Sequence, residues 1–201
     1  MFSKLTSNQN HTRLQFIRGL SLFGLVLSVG SGFAGVGDRI EVKDTRVVAI
    51  RPELHGKVTP ETLFEMLHKR NVKNYGASSV TSKGPNEATM AVTGDKTPAY
   101  VANGYIKVGD VESNLKITVV KKANEVIQKV NATFTSFPYG LAKDGDGTIK
   151  FQVSDDAIVI DFAGGGTQVS DNRLVKDAPK AVAKQVLAGV EKDLTTAYGL
   201  K

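Results

Sequence analysis

The sequence predicts an α+β protein: an antiparallel sheet of about six to eight strands, covered by a long C-terminal helix, with a shorter helix after the first strand. Short β-rich runs with alternating apolar residues fill most of residues 87–162. The connections between these runs are too short for a crossover helix, so neighbouring strands must be antiparallel. The last stretch of the chain, from about residue 178, carries an apolar face at helical spacing.

The first 34 residues have the layout of a secretory signal peptide. Basic residues and no acidic ones precede an apolar run from Leu20 to Val29. Small side chains at Gly32 and Ala34 fit the −3 and −1 positions of a signal peptidase site. We expect this signal to be cleaved, and an uncleaved N-terminal membrane anchor is the alternative.

The expected organisation is therefore a signal peptide over residues 1–34, a polar lead-in over 35–45 and a single α+β domain over 46–201. The protein would be exported and would be periplasmic or extracellular after cleavage. Three of the 26 basic residues lie in the signal, which leaves 23 against 20 acidic residues. This weak balance argues against a nucleic-acid partner. Because the chain has no cysteine, disulfides, thiolate metal sites and a cysteine nucleophile are excluded.

Local signals place the first elements. The β-branched run Arg46–Arg51 predicts the first strand. Thr59 is a suitable N-cap residue and Pro60 a suitable first residue for a helix over residues 60–71.

Six β-rich runs follow the first helix: E-A-T-M-A-V-T, P-A-Y-V-A-N-G-Y-I-K-V, N-L-K-I-T-V-V, V-I-Q-K-V-N-A-T-F, T-I-K-F-Q-V and A-I-V-I-D-F. Tight hairpin turns are expected at residues 122–125 and 154–156. Asp177 is expected to cap the C-terminal helix, with Pro179 in its first turn.

This order of elements resembles the helix-grip fold of the START proteins and the plant-allergen ligand carriers. The resemblance covers about residues 39–201 and rests on element order, without a family motif. The alternative is a generic α+β domain in which one helix covers a sheet.

Two glycine-rich stretches are candidate ligand sites. A-K-D-G-D-G-T-I-K-F, residues 142–151, matches the middle of a calcium-binding loop, but Ala142 and Val153 replace the ligands at its two ends. Neither this stretch nor Gly164–Gly166 directly precedes a helix that could bind phosphate. We expect the two Asp-Gly pairs at residues 144–147, just before the strand T-I-K-F-Q-V, and the glycines at 164–166 to form turns that need positive φ.

On the first helix, Glu65 and His68 have the E-x-x-H spacing of di-metal sites. Such sites need a second copy of the motif and further carboxylates, so a solvated polar face is expected instead. No metal site, cofactor or catalytic residue is predicted, although an enzyme with unrecognised residues stays possible.

A candidate apolar ligand site lies between the sheet and the C-terminal helix. Its predicted residues are Tyr100, Tyr105, Phe134, Phe151, Val186, Val190 and Leu194. The alternative is that these side chains form an ordinary filled core.

The function expected from these features is an exported, non-enzymatic binding protein that holds an apolar small molecule. The alternative is an exported accessory or structural protein that docks on an envelope or membrane protein complex. Membrane contact is expected only if the N-terminal segment stays uncleaved.

Overall fold

The computed structural model describes residues 37, 39–101, 106–136, 142–168 and 178–200. The elements are β1 (Arg39–Ala49), α1 (Pro60–Tyr75), β2 (Val80–Lys83), β3 (Glu87–Val101), β4 (Ile106–Lys121), β5 (Glu125–Ser136), β6 (Ala142–Val153), β7 (Ala157–Gln168) and α2 (Ala178–Tyr198). Short 3-10 helices at Pro52–Leu54 and Ala77–Ser79 flank α1. The predicted α+β class is confirmed.

All seven strands form one antiparallel sheet in the order β1-β7-β6-β5-β4-β3-β2. The strands that precede and follow α1 therefore lie at opposite edges of the sheet. From β2 to β7 each strand pairs with the next one along the chain. The hairpins after β4 and β6 close as predicted, with Lys122 N donating to Glu125 O at 2.8 Å and Ser154 N donating to Ala157 O at 3.0 Å.

The first strand begins earlier than predicted. β1 starts at Arg39 and pairs with β7 along its whole length, so most of the expected lead-in at residues 35–45 is strand. The charged residues of this segment suggested a solvated lead-in. They are compatible with a strand because β1 is an edge strand with one exposed face.

The predicted single strand over residues 98–108 is also wrong. Val101 at the end of β3 pairs with Ile106 at the start of β4, so two antiparallel strands meet within that run. The β-rich composition of both strands concealed the boundary between them.

The glycine-rich stretches are strands and not turns. Residues 142–151 belong to β6 and Gly164–Gly166 to β7, where Gly147 pairs with Gly164. None of the glycines of these two stretches has a positive φ. A Cβ on Gly164 would lie 2.8 Å from the ring carbon Cζ of Phe162. The missing side chains therefore let an aromatic ring lie directly over the strands.

The start of α1 is explained by local chemistry. Thr59 Oγ1 accepts a hydrogen bond from Thr62 N at 3.3 Å, and Thr59 N donates to Thr62 Oγ1 at 3.0 Å. This reciprocal pair satisfies two backbone donors at the helix N-terminus. The helix runs beyond the predicted residue 71 and ends at Tyr75, followed by Gly76 with φ +87°. Asp177, the predicted cap of α2, lies outside the described residues.

Two apolar clusters lie between the sheet and the helices. The first core comprises Val42, Val48, Ile50, Val58, Leu63, Phe64, Leu67, Ala88, Val119, Val126, Ile149, Phe151, Ile158, Ile160, Phe162, Val186, Leu187, Val190, Leu194 and Leu200. The second core comprises Met90, Leu115, Ile117, Val130 and Ala132, with partly buried neighbours that include Tyr75 and Phe134. The first core joins both helices to the sheet.

The two faces of the sheet should respond very differently to the same truncation. Val126 on β5 is fully buried, whereas Val47 on β1 is 66% exposed. We expect Val126→Ala to lower the free energy of unfolding by about 1.5–3 kcal/mol, because it removes buried apolar surface and leaves a void. Val47→Ala should change it by less than about 0.5 kcal/mol. Chemical denaturation of both variants measures the difference, and equal losses would contradict the assignment of the two faces.

Candidate functional site

The candidate site lies on the inner face of the sheet, which is the face covered by the helices. On β5 the inner face carries Val126, Gln128, Val130 and Ala132, all of which are buried. Helix α1 packs against β4 and β5, and α2 packs against β1 and β7. The helices therefore cover different parts of one continuous surface.

The structure places most of the predicted ligand residues in the interior. Phe151 and Leu194 are fully buried, and Val186 and Val190 are nearly so. These four side chains belong to the first core. That they contact a ligand stays a prediction.

Of the three remaining predicted residues, Phe134 is the one whose side chain is described. Phe134 is partly buried and packs against the second core, away from the four residues above. Tyr100 pairs with Lys107 across β3 and β4, but its side chain lies outside the part of the chain that is described. Tyr105 lies wholly outside the described residues.

A group of buried glycines interrupts the side chains of the inner face. We define the glycine zone as Gly145 and Gly147 on β6 with Gly164 and Gly166 on β7. Gly145 pairs with Gly166 on one side and with Ala132 of β5 on the other. Three adjacent strands thus carry nothing larger than a methyl group at this level of the sheet.

A pair of buried amides lies where α1 meets the sheet. Asn71 Nδ2 donates a hydrogen bond to Gln128 Oε1 at 3.2 Å, and the two residues are 1% and 0% exposed. Asn71 Oδ1 and Gln128 Nε2 have no hydrogen-bond partner within the described part of the chain. Neither residue was predicted from the sequence. The available signal was a glutamine at an inward position of the otherwise apolar alternation of β5.

His68 is buried, and the predicted solvated polar face is therefore wrong at this position. It lies one turn before Asn71 on α1 and is 9% exposed. Its Nδ1 atom has no hydrogen-bond partner among the described residues. Burial lowers the pKa of His68, the ammonium of Lys83 lowers it further, and the Glu65 carboxylate opposes both effects. Glu65 itself is ion-paired with Lys83 at 2.9 Å.

The surroundings of Tyr75, at the end of α1, disfavour ionisation of its phenol. Burial raises the pKa of Tyr75 strongly, the Asp95 carboxylate raises it further, and Arg70 opposes the rise. The ring lies beside the second core. It therefore adds apolar surface with a neutral hydroxyl group.

The aspartates of the calcium-like stretch are engaged elsewhere. Asp144 Oδ1 accepts from Thr167 N at 3.0 Å, and Asp146 is ion-paired with Arg39 at 2.5 Å. In the described ranges no three His, Asp or Glu residues are grouped so that they could hold a metal ion.

A separate groove lies on the outer surface, between α1 and the C-terminal end of α2. It has a volume of about 460 Å³ and is lined by Glu61, Thr62, Glu65, Met66, Lys69, Ala197 and Tyr198. Tyr198 Oη donates to Thr62 Oγ1 at 3.3 Å across it. Burial raises the pKa of Tyr198, which the hydrogen bond with Thr62 partly offsets. The groove is open to solvent and distinct from the inner face.

None of the described helices has the length and apolarity needed to cross a membrane.

Comparison with known proteins gives similarities of fold alone. No protein-family model matches the sequence, and no curated protein sequence matches it. Among solved structures, Ara h 8.0201 is 12% identical with a TM-score of 0.45, over 79% of this chain and 97% of that one. TTHA0849 from Thermus thermophilus is 14% identical with a TM-score of 0.45, over 78% and 98% of the two chains. Truncated norcoclaurine synthase from Thalictrum flavum is 11% identical with a TM-score of 0.42, over 79% and 94%.

The order of elements on which the helix-grip resemblance rested is confirmed. One edge strand, a helix, six further antiparallel strands and a long C-terminal helix over the sheet follow in the predicted order.

The buried imidazole should make the fold sensitive to mild acid. The unfolded chain titrates His68 near its ordinary pKa of 6.5, and the folded chain titrates it lower. As the pH falls through 6.5, His68 takes up a proton in the unfolded state before it does so in the folded state. The free energy of unfolding therefore falls as the pH falls. Chemical denaturation at about pH 7.5 and about pH 5.5 should therefore show a loss in the wild type that is smaller in His68→Leu. An equal loss in both proteins would contradict the assignment of this effect to His68.

Proposed function

We propose that this chain is an exported, non-enzymatic binding protein that holds an apolar small molecule between the sheet and α2. The observation that carries the proposal is the pair Gly145 and Gly166 of the glycine zone, with Ala132 beside it, because the ring of Phe162 already lies over Gly147 and Gly164. This pair leaves buried positions on β6 and β7 without side chains, and α2 packs on β7 and on its neighbour β1. Close packing of a filled core would call for large side chains at such positions.

The chemistry of the surrounding surface suits a ligand of this kind. Small-molecule sites in proteins are mostly apolar and contain a few placed polar groups. The inner face combines the apolar residues of both cores with the buried amides of Asn71 and Gln128. A molecule held here would contact mainly aliphatic and aromatic side chains.

Export is proposed from the N-terminal segment, which lies outside the described residues. We expect the mature chain to begin at Gly35, because Gly32 and Ala34 place small side chains at the −3 and −1 positions of that cleavage site. N-terminal sequencing of protein purified from its own source tests this. Recovery of an intact Met1 in the membrane fraction would show an anchor in place of a cleaved signal.

A matched pair of substitutions tests whether the glycine zone borders a ligand space. Ala132 is buried on the inner face beside Gly145, whereas Ala163 is exposed on β7. Ala132→Leu should fill part of the space and weaken binding of N-phenyl-1-naphthylamine, an apolar fluorescent probe, by about tenfold. Ala163→Leu should leave probe binding unchanged. Fluorescence titration gives both affinities.

The stability of Ala132→Leu separates a ligand space from a filled core. With a ligand space, its free energy of unfolding should stay within about 1 kcal/mol of the wild type, because the added side chain has room. In a filled core, overpacking would cost about 1–3 kcal/mol. Destabilisation of that size, together with no probe binding by the wild type, would contradict the proposed function.

The second candidate is an exported accessory protein that docks on an envelope complex. The outer groove favours it, since Met66 and Tyr198 offer apolar surface beside the charged residues Glu65 and Lys69. Native mass spectrometry of protein purified from its own source distinguishes the two candidates. A bound small molecule supports the binding protein, and a bound polypeptide supports the accessory protein.

A further inference from the structure

We propose that Asn71 and Gln128 bind the polar end of the ligand, and that this ligand is an apolar molecule with one neutral group, such as a hydroxyl or a carboxamide, that both donates and accepts a hydrogen bond. The inference rests on the proposed function, because it concerns the same interior. It adds the chemical class of the ligand and the residues that recognise it.

The hydrogen-bonding capacity left over at the amide pair defines that class. The single bond from Asn71 Nδ2 to Gln128 Oε1 leaves Asn71 Oδ1 as a free acceptor and Gln128 Nε2 as a free donor among the described residues. Exchanging the oxygen and nitrogen positions of both amides leaves one acceptor and one donor as well. A group that can donate to one and accept from the other completes the set.

Burial makes this leftover capacity informative. Both amides are at least nine-tenths buried, and buried polar atoms in folded proteins nearly always have a partner. Neither amide carries a charge, so a neutral ligand group meets no electrostatic penalty here. A charged ligand group would lose its hydration on burial, and neither Asn71 nor Gln128 supplies a counterion for it.

The position of the pair suits the end of a ligand. Gln128 lies on β5 between Val126 of the first core and Val130 of the second core. It pairs with Ile149 on β6, and two residues along β6 lies Gly147 of the glycine zone. The ring of Phe162 lies over Gly147 and Gly164, so the apolar body of a ligand would lie beside this ring, over Gly145 and Gly166, with its polar end extended toward the amides.

His68 supports the same interpretation of this helix face. It precedes Asn71 by one turn, so both side chains lie on the same side of α1. Its Nδ1 atom is a third buried polar atom without a partner among the described residues. Apolar side chains would suffice for packing at all three positions, yet the chain places polar groups there.

Two ligands of matched size test the inference. 2-Naphthol and 2-methylnaphthalene differ mainly in whether the ring carries a hydroxyl or a methyl group. Calorimetric titration of the full chain should show 2-naphthol binding at least about tenfold more tightly than 2-methylnaphthalene. In the double variant Asn71→Leu with Gln128→Met, the ratio of the two dissociation constants should fall to near one. Ser113→Ala, which removes another buried polar group from the sheet, should keep the wild-type ratio.

A measurement on the wild type covers the case in which the double variant does not fold. The side-chain amide signals of Asn71 and Gln128 in ¹⁵N NMR spectra should shift on addition of 2-naphthol and stay unchanged with 2-methylnaphthalene.

The outcomes separate this inference from the proposed function. Equal binding of both ligands by the wild type would overturn the inference, leave the binding function in place and indicate that the amides hold only an ordered water. A preference for 2-naphthol that survives in the double variant would also overturn it. Binding of neither ligand, and of no apolar probe, would overturn the proposed function and the inference with it.

Discussion

Burial of one face of the sheet beneath both helices is the constraint on which the rest of the molecule depends. Leu63 of α1, Leu187 of α2 and Ile160 of β7 are fully buried in the same core, although they come from distant parts of the sequence. Because side chains alternate between the faces of a strand, a shift of one residue in register would turn the apolar set outward. The shared core therefore sets strand register and helix position together.

Two features of the interior are not explained by packing alone. A fully apolar interior would be the simpler way to stabilise this fold, since an unpaired buried amide atom costs about 1–3 kcal/mol. The chain nevertheless keeps Asn71 and Gln128 at buried positions. It also keeps Gly145 paired with Gly166 on two adjacent inner strands, where larger side chains would add buried area. These polar groups and missing side chains on the covered face of one sheet are the features on which the proposed binding site rests.

Several elements could be predicted because their causes are local. The Thr59–Pro60 start of α1 depends on a side-chain oxygen and a missing backbone donor within one turn. The turns after β4 and β6 depend on short polar connections between β-rich runs. The buried faces of α2 and β5 could be predicted from the spacing of their apolar residues. Leu194 and Val126 are buried, as that spacing indicated.

The elements that were predicted wrongly depend on partners distant in sequence. Glycine adopts both turn and extended conformations, so residues 144–147 and 164–166 became parts of strands only through pairing with each other and with neighbouring strands. The charged β1 is a strand because β7 provides its hydrogen-bond partners. His68 is buried because of the elements packed against that face of α1, which the helix sequence does not specify.

By itself, the amino-acid sequence determined the α+β class, the antiparallel pairing of neighbouring strands, the start of α1 and the apolar face of the C-terminal helix, because each follows from composition, spacing or chemistry within a few residues. Only the tertiary structure decided that the glycine-rich stretches lie side by side in the sheet and that Asn71 meets Gln128 across 57 positions of the chain. The reason is physical: hydrogen bonds and burial between distant segments exist only once the shared core has brought those segments together.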